Sequence, residues 1–195
     1  MILTVTPSGT AFDLSAPKPE SINLDVDIIE PLSKISRWNG GIQSGPFSVA
    51  QHCVMGADAI RETYGSTSLA LHFLLHDAHE AYIGDISTPT IMALGCKASA
   101  EQLKSRIDAA IYARLGLRWP LTSSEAAFVR AMDQSMAKTE QIHFRHPTPI
   151  PLFDGYDQVN PIRLKGKATV WTWPRAAEEY RTRLTRWHKS MSKAA

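Results

Sequence analysis

The spacing of apolar residues predicts a mostly helical chain. In the segment "DVDIIEPLSKISRW", Ile28, Ile29, Leu32 and Ile35 recur at nearly helical intervals. Pro31 lies inside this pattern, and a proline without an N–H fits only the first turn of a helix. The preceding residues 1–24 are rich in proline and contain two short apolar runs, "ILTV" and "TAFDL". We expect an extended lead-in there, in which the two runs could pair as a short β-hairpin.

Two strongly apolar helices follow. The first is "VAQHCVMGADAIRETY", for which Ser48 is a suitable N-cap. The second is "TSLALHFLLHDAHEAYIG", which the pattern predicts as one continuous helix ending at Gly84. The run "DISTPTIMALG" after it predicts a turn and a short segment.

Three further segments complete the predicted domain. "SAEQLKSRIDAAIYARLGL" is long and amphipathic, and "TSSEAAFVRAMDQSMAKTEQI" opens with Ser123 and Ser124 as caps before Glu125. Residues 145–167 are rich in proline and glycine and predict a long loop. Residues 174–190 predict a C-terminal helix with Pro174 near its start. Together these elements predict an all-α fold and a single domain over residues 1–195.

Composition narrows the classes of function. The hydrophobic fraction of 44% excludes a disordered chain, and a net charge of +2 is too balanced to indicate a nucleic-acid or membrane partner. We find no signal peptide and no apolar stretch approaching the roughly 20 residues that cross a bilayer. The two cysteines, Cys53 and Cys96, form no CxxC motif and are interpreted as inert core thiols. These features favour a reduced cytoplasmic protein.

Ionisable residues interrupt the second apolar helix. The run "LALHFLLHDAHEAYIGDISTP" places His76 and Asp77 side by side where an unpartnered charge would cost several kcal/mol. Asp77 and Glu80 are i, i+3 neighbours, so His76, Asp77 and Glu80 can converge on one point beside a helix. Imidazole and carboxylate together suit Zn²⁺, Mn²⁺, Fe²⁺ or Co²⁺.

Further ligands for such an ion must come from other helices. His52 is flanked by Val49, Cys53 and Val54, and Asp133 lies within an otherwise apolar stretch of a later helix. Asp108 is the rival carboxylate, but its helix carries more charge. His72 and His79 are interpreted as structural or supporting residues.

The ordered pattern His52, His76-Asp77 and Asp133 resembles that of the HD-domain metal-dependent phosphohydrolases. The run "HDAHEAYIGDISTP" closely resembles the segment H-D-A-x-E-x(4)-D-x-x-T-P of bacterial 5′-deoxynucleotidases in this superfamily. "SRWNGG" and "FSVAQH" are also similar to that branch, and "TPSGTAFDL" looks like a variant of bacterial and phage members. The resemblance covers residues 28–140 and implies an HD-domain helical bundle.

The resemblance also implies roles for individual residues. His52, His76, Asp77 and Asp133 would hold one divalent ion, with Zn²⁺, Co²⁺ or Mn²⁺ favoured and Mg²⁺ an option with a triphosphate substrate. Glu80 would orient or deprotonate the attacking water. The ion would lower the pKa of that water toward neutrality.

The remaining implied roles concern the substrate. Arg37 would contact its phosphate, and the ring of Trp38 would border the sugar and leave no room for a 2′-hydroxyl. Asp85 would lie near the sugar and the reacting phosphate, although a turn or cap before "ISTP" is the alternative. Trp38 could equally be an ordinary core residue.

Several alternatives stay open. The substrate could be a deoxynucleoside monophosphate, or a triphosphate, as in related phage enzymes that remove dATP. We expect a homo-oligomer, and the near-neutral charge disfavours a nucleic-acid partner. A non-catalytic HD fold that senses nucleotides or metal is the alternative function.

Overall fold

A small hairpin precedes the helices. The structure, a computed structural model, describes residues 1–145, 151–164 and 168–192. Strand β1 (Leu3–Val5) pairs antiparallel with β2 (Ala11–Asp13), with Leu3 opposite Asp13. Phe12 of β2 is fully buried and stacks on Tyr82 with ring centroids 4.0 Å apart. The lead-in therefore contains the hairpin that its two apolar runs suggested.

The first helical segment begins at a side-chain cap. Asn23 accepts hydrogen bonds from the backbone N–H groups of Asp25 and Val26. A π-helical stretch, Leu24–Ile29, then leads into α1 (Glu30–Lys34). Pro31 lies in the first turn of α1, the part of a helix where proline is tolerated, directly after the π-helical stretch.

The remaining helices account for most of the chain. Ser48 caps α2, accepting a hydrogen bond from the N–H of Gln51, and Gly65 ends that helix in the left-handed conformation. In chain order the helices are α2 (Val49–Tyr64), α3 (Thr67–Leu75), α4 (Glu80–Ile83), α5 (Thr88–Ala93), α6 (Lys97–Arg114), α7 (Ser123–Phe144) and α8 (Trp173–Ser192). The fold is thus mostly helical, as the pattern predicts.

The prediction of one continuous helix up to Gly84 is wrong. Helix α3 ends at Leu75, residues 76–79 form tight turns, and α4 begins at Glu80. The His76 ring donates a hydrogen bond to the Phe73 carbonyl oxygen at 2.6 Å. In a continuing helix, this oxygen would accept from the Asp77 N–H instead, so the side chain competes with the helix for the acceptor. The chain then winds with i→i+3 bonds, Ala78 to Leu75 and Glu80 to Asp77, both at 3.0 Å.

The predicted cap of α7 is also corrected. The N-cap is Thr122, not Ser123 or Ser124. The Thr122 hydroxyl accepts from the Glu125 N–H, and the Glu125 carboxylate accepts from the Thr122 N–H. Glu125 therefore has the role that the pattern gave it, in a capping box that starts one residue earlier.

Helix α8 closes the core against α1, α2 and α3. Buried Tyr180 donates a hydrogen bond to the Leu74 carbonyl at 2.7 Å. Helices α2 and α3 approach closely at Gly56, where an added Cβ would lie only 2.1 Å from a ring carbon of Phe73. This contact fixes α2 beside the end of α3, and both helices carry residues of the site described below.

The predicted loop over residues 145–167 falls partly outside the described residues, which omit 146–150 and 165–167. Residues 151–164 are irregular apart from a short 3₁₀ turn, Tyr156–Gln158. The C-terminal helix predicted over residues 174–190 runs from Trp173 to Ser192. Within the described ranges, every helix is either too short or too polar to cross a membrane.

Candidate metal centre

Three separate parts of the chain meet at one point. Helix α2 contributes His52, the turns after α3 contribute His76 and Asp77, and α7 contributes Asp133. His52 is fully buried, whereas the Asp133 side chain is 40% exposed, so the point opens to solvent on the α7 side. All four ligands implied by the family resemblance are therefore brought together.

The carboxylate oxygens of Asp77 and Asp133 each lie at similar distances from the two imidazole nitrogens. The Nε2 atoms of His52 and His76 are 3.4 Å apart, and Asp133 Oδ1 lies 3.2 Å from the first and 3.6 Å from the second. Asp77 Oδ2 lies 3.2 Å from His76 Nε2 and 3.7 Å from His52 Nε2. Ligand atoms about 2.1 Å from one ion in tetrahedral geometry would be about 3.4 Å apart, so these residues fit a metal ion.

Both imidazoles are oriented by their other ring nitrogen. His52 Nδ1 lies 2.5 Å from Glu140 Oε1, and His76 Nδ1 lies 2.6 Å from the Phe73 carbonyl oxygen. With the protons on Nδ1, each Nε2 presents a lone pair to the centre, which is the form that binds metal. Asp133 Oδ1 is buried without a hydrogen bond of good geometry, as expected of an oxygen reserved for an ion.

The centre has strong internal electrostatics. Burial and Arg37 oppose a charge on His52, but Glu140 and Asp133 outweigh them and raise its pKa. Burial likewise opposes a charge on His76, but Asp77 and Asp133 raise its pKa well above the usual value. Protons and a metal ion therefore compete for the same two nitrogens.

Cys53 lies close enough to be a further ligand. Its sulfur is within 4.8 Å of donor atoms of His52, His76 and Asp77. Burial raises the pKa of this thiol to about 11. Because metal binding requires the thiolate, Asp133 is the better fourth ligand and Cys53 keeps its interpretation as a core thiol.

Arg37 is held beside the centre by a short antiparallel pairing. Its N–H donates to the Phe47 carbonyl at 2.8 Å, next to the bridge between Ser36 and Ser48. Its guanidinium donates from Nη1 to Asp77 Oδ2 and from Nε to Glu140 Oε2, each at 3.2 Å. Among the described residues, Nη2 makes no hydrogen bond, and a planar guanidinium with an available nitrogen can bind an anion such as phosphate.

Trp38 is anchored at both its edge and its face. The indole N–H donates to Glu140 Oε2 at 2.8 Å, and the Arg145 guanidinium lies 4.5 Å over the ring. The ring also packs against the small apolar cluster of Ile42, Phe47 and Phe144. Its backbone φ of 59° is unusual for a bulky residue and turns the chain sharply after Arg37.

Glu140 is the residue of this site that the sequence reasoning missed. It is completely buried, and Arg37 and His52 keep its pKa low although burial opposes its charge. Glu140 follows Asp133 by seven residues, or about two helical turns, and therefore lies on the same face of α7. This spacing is the signal that could have identified it.

Glu80 and Asp85 lie at the margin of the centre. Glu80 is 4% exposed, and burial together with Asp77 and Asp85 raises its pKa to about 10. Burial also raises the pKa of Asp85, although Arg37 opposes the shift. Ser87, not Asp85, caps α5, so the alternative role of Asp85 as a helix cap is excluded.

The two other histidines of this region, His72 and His79, contact residues outside the four proposed ligands. His72 stacks on Tyr112, and its Nδ1 lies 3.4 Å from the Tyr112 hydroxyl. His79 Nδ1 lies 3.0 Å from Asp108 Oδ1. Asp108, the rival to Asp133, is therefore committed to His79.

A separate cavity of about 280 Å³ lies between α2 and α8, lined in part by Met55, Asp58, Trp171 and Arg183. It shares no residue with the centre. Asp58 and Arg183 in its wall form an ion pair with 2.8 Å between Oδ2 and Nη2. The geometry of the carboxylates and imidazoles, not cavity size, identifies the functional site.

Comparisons with known proteins identify proteins that are similar in sequence to this chain. No family model matches it. The chain is 34% identical over 115 residues to the uncharacterized protein YfdR of Escherichia coli, a match covering 59% of this chain and 57% of that protein. It is 33% identical over 140 residues to the uncharacterized protein RCAP_rcc00048 of Rhodobacter capsulatus, a match covering 68% of each. By this identity and coverage, the chain belongs to the same family as the Rhodobacter capsulatus protein.

Proposed function

We propose that this chain is a metal-dependent phosphohydrolase that cleaves the 5′-phosphate ester of deoxynucleotides. The observation that carries the proposal is the convergence of His52, His76, Asp77 and Asp133, whose donor atoms are separated by distances suited to one ion. The resemblance of this set to HD-domain phosphohydrolases supplies the reaction class. A bound divalent ion would act as a Lewis acid and lower the pKa of a bound water.

Arg37 would bind the substrate phosphate. Its Nε and Nη1 are held by Glu140 and Asp77, so its orientation is set before a ligand arrives. Preorganised donors near a phosphoryl group lower the barrier because little reorganisation remains during reaction. The guanidinium Nη2 would then contact a phosphoryl oxygen.

Glu80 would orient the attacking water and accept its proton. Burial first, and then Asp77 and Asp85, raise its pKa to about 10 and favour the protonated form. A cation held at Asp77 would offset part of this negative field and lower the pKa of Glu80 toward the range of a general base.

The bond changes are those of ester hydrolysis. The water oxygen forms a bond to the α-phosphorus, the bond from that phosphorus to the 5′-oxygen breaks, and the leaving oxygen takes a proton. The same change releases phosphate from a monophosphate or triphosphate from a triphosphate. Asp85 lies close enough to Arg37 and Asp77 for their charges to affect its pKa, and it would face the sugar end of this bond.

A product assay tests the proposal. The purified protein, loaded with Mn²⁺, Co²⁺ or Zn²⁺, is incubated with the four deoxynucleoside monophosphates and the four triphosphates. We expect metal-dependent release of phosphate or triphosphate, with loss of activity in Asp77→Asn and no change in the control Asp157→Asn, an exposed carboxylate. Binding of metal and nucleotide without release of either product would instead indicate the non-catalytic sensor.

A further inference from the structure

A second group of donor atoms adjoins the first centre. One atom each from Asp77, His79 and Glu80 lies within 4.8 Å of the other two. The i→i+3 winding of residues 76–80 brings Asp77 and Glu80 onto one side of the chain. The group therefore lies on the turns that join α3 to α4.

Two buried atoms of the group have no partner. His79 Nε2 and Glu80 Oε2 make no hydrogen bond within the described part of the chain. Both residues are 4% exposed. An unpaired buried polar atom destabilises a fold, so two such atoms on residues of one group indicate a ligand that pairs with them.

His79 is oriented in the way that metal-binding histidines are. Its Nδ1 lies 3.0 Å from Asp108 Oδ1, and Asp108 is itself buried. A carboxylate at Nδ1 fixes the proton there and leaves the lone pair of Nε2 available. The same arrangement occurs at His52, where Glu140 takes the place of Asp108.

A lysine does not explain the group. Arg37 and then Lys104 act on Glu80 through their charges, but among the described residues no ion pair joins either of them to Glu80. Asp85 adds further negative charge at this position. Arg37 is paired with Asp77, so within the described residues Glu80 lacks a direct cationic partner.

We propose that Asp77, His79 and Glu80 hold a second divalent cation, with Asp108 as the positioning residue of His79. One imidazole nitrogen and carboxylate oxygens suit Mn²⁺, Fe²⁺, Co²⁺ or Zn²⁺. Asp77 has two carboxylate oxygens and can serve both centres. The inference concerns metal content and does not require the phosphohydrolase reaction.

Metal stoichiometry tests this inference. The full chain is stripped with a chelator, titrated with Mn²⁺ and followed by electron paramagnetic resonance, with bound metal counted by elemental analysis. We expect two ions per wild-type chain and one per chain in His79→Phe, which keeps a ring but removes both nitrogens. His72→Phe is the matched control, because His72 is also 4% exposed and belongs to neither group; it should bind two ions.

A second variant covers the case in which His79→Phe does not fold. Asp108→Asn keeps a polar group at His79 and should weaken only the second ion, by about 10- to 100-fold. One ion per wild-type chain, or two undiminished ions in both His79→Phe and Asp108→Asn, overturns the inference. Two ions without nucleotide hydrolysis would refute the proposed function and leave the inference standing. Nucleotide hydrolysis with a single bound ion would support the proposed function and refute the inference.

Discussion

At the residue scale, Glu140 links the ligands to the substrate-binding side. Its carboxylate contacts the His52 ring with one oxygen and Arg37 and Trp38 with the other. The sequence predicted the charged residues that interrupt apolar helices, including all four proposed ligands. It did not predict Glu140. The partners of this carboxylate on α7 come from helix α2 and from the segment after α1, and only the folded structure brings them beside it.

Glu140→Gln should weaken metal binding about 10- to 100-fold, the usual effect of removing an orienting carboxylate behind a histidine ligand. The amide keeps the shape but removes the charge that holds the His52 ring. Competition with a fluorescent chelator measures the dissociation constant. Glu101→Gln, an exposed carboxylate on α6, is the control, and equal affinities in the two variants would contradict the role of Glu140.

Glu80→Ala should lower turnover about 10²-fold or more, because a general base is typically worth that factor. The first metal centre, which does not include Glu80, should stay occupied. Turnover is measured with saturating deoxynucleotide and metal, with Glu101→Ala as the control. Near-normal turnover with the first centre fully occupied would mean that another group activates the water.

Trp38→Ala should narrow the preference for dAMP over AMP, or for dATP over ATP. If the ring borders C2′, a ribose hydroxyl there is left buried and unpaired, which is worth about 1–3 kcal/mol, or roughly ten- to a hundredfold. The ratio of kcat/KM values is the quantity to measure, since lost packing also lowers the rate.

Trp38→Phe separates the ring from its hydrogen bond to Glu140. It keeps an aromatic wall but removes the indole N–H, so the sugar preference should survive in this variant. If the wild-type protein hydrolyses ribose and deoxyribose substrates equally, Trp38 does not select the sugar. It is then an ordinary core residue that packs against Phe47 and Phe144.

At the element scale, the sequence predicted some caps and turns correctly from single residues. It did not predict where a side chain competes with the backbone for a hydrogen-bond acceptor. The proline-rich lead-in, the Ser48 cap and the short first turn at Pro31 follow from propensities of single residues. The break after Leu75 does not, because it depends on the His76 ring taking the Phe73 carbonyl. Apolar spacing alone cannot reveal that a side chain will compete for a helical acceptor.

The capping box of α7 predicts a pH-dependent stability. The pKa of Glu125 is lowered from 4.5 to about 2; burial opposes the shift, but Arg118 and Thr122 outweigh it. A lowered pKa means that the charged form stabilises the fold above pH 4.5, and this contribution is lost as the pH falls toward 2. Glu125→Gln should therefore cost about 0.5–1 kcal/mol at pH 7 and nothing near pH 2.

Urea unfolding of the wild type and Glu125→Gln at several pH values measures this difference. Glu101→Gln, which removes an exposed carboxylate 3.9 Å from Lys97, should change the free energy of unfolding little at any pH. A Glu125 effect that stays constant from pH 7 to pH 2 would show that the ionised carboxylate is not the stabilising form.

At the scale of the whole molecule, the proposed ligands span 82 positions of the chain, from His52 to Asp133. Their order is visible in the sequence, but their distances depend on packing between elements. Gly56 lets α2 approach Phe73, and Met136 of α7 also lies against Gly56. Such contacts bring His52, His76 and Asp133 within 3.2–3.6 Å of one another, which no local pattern specifies.

The most direct test is the position of the metal itself. Crystals grown with Mn²⁺ or Zn²⁺ are measured at the absorption edge of the metal, so that anomalous scattering locates each ion. The account predicts an ion within about 2.0–2.3 Å of His52 Nε2, His76 Nε2, Asp77 and Asp133. Fully loaded protein with no anomalous peak among these four residues would contradict it.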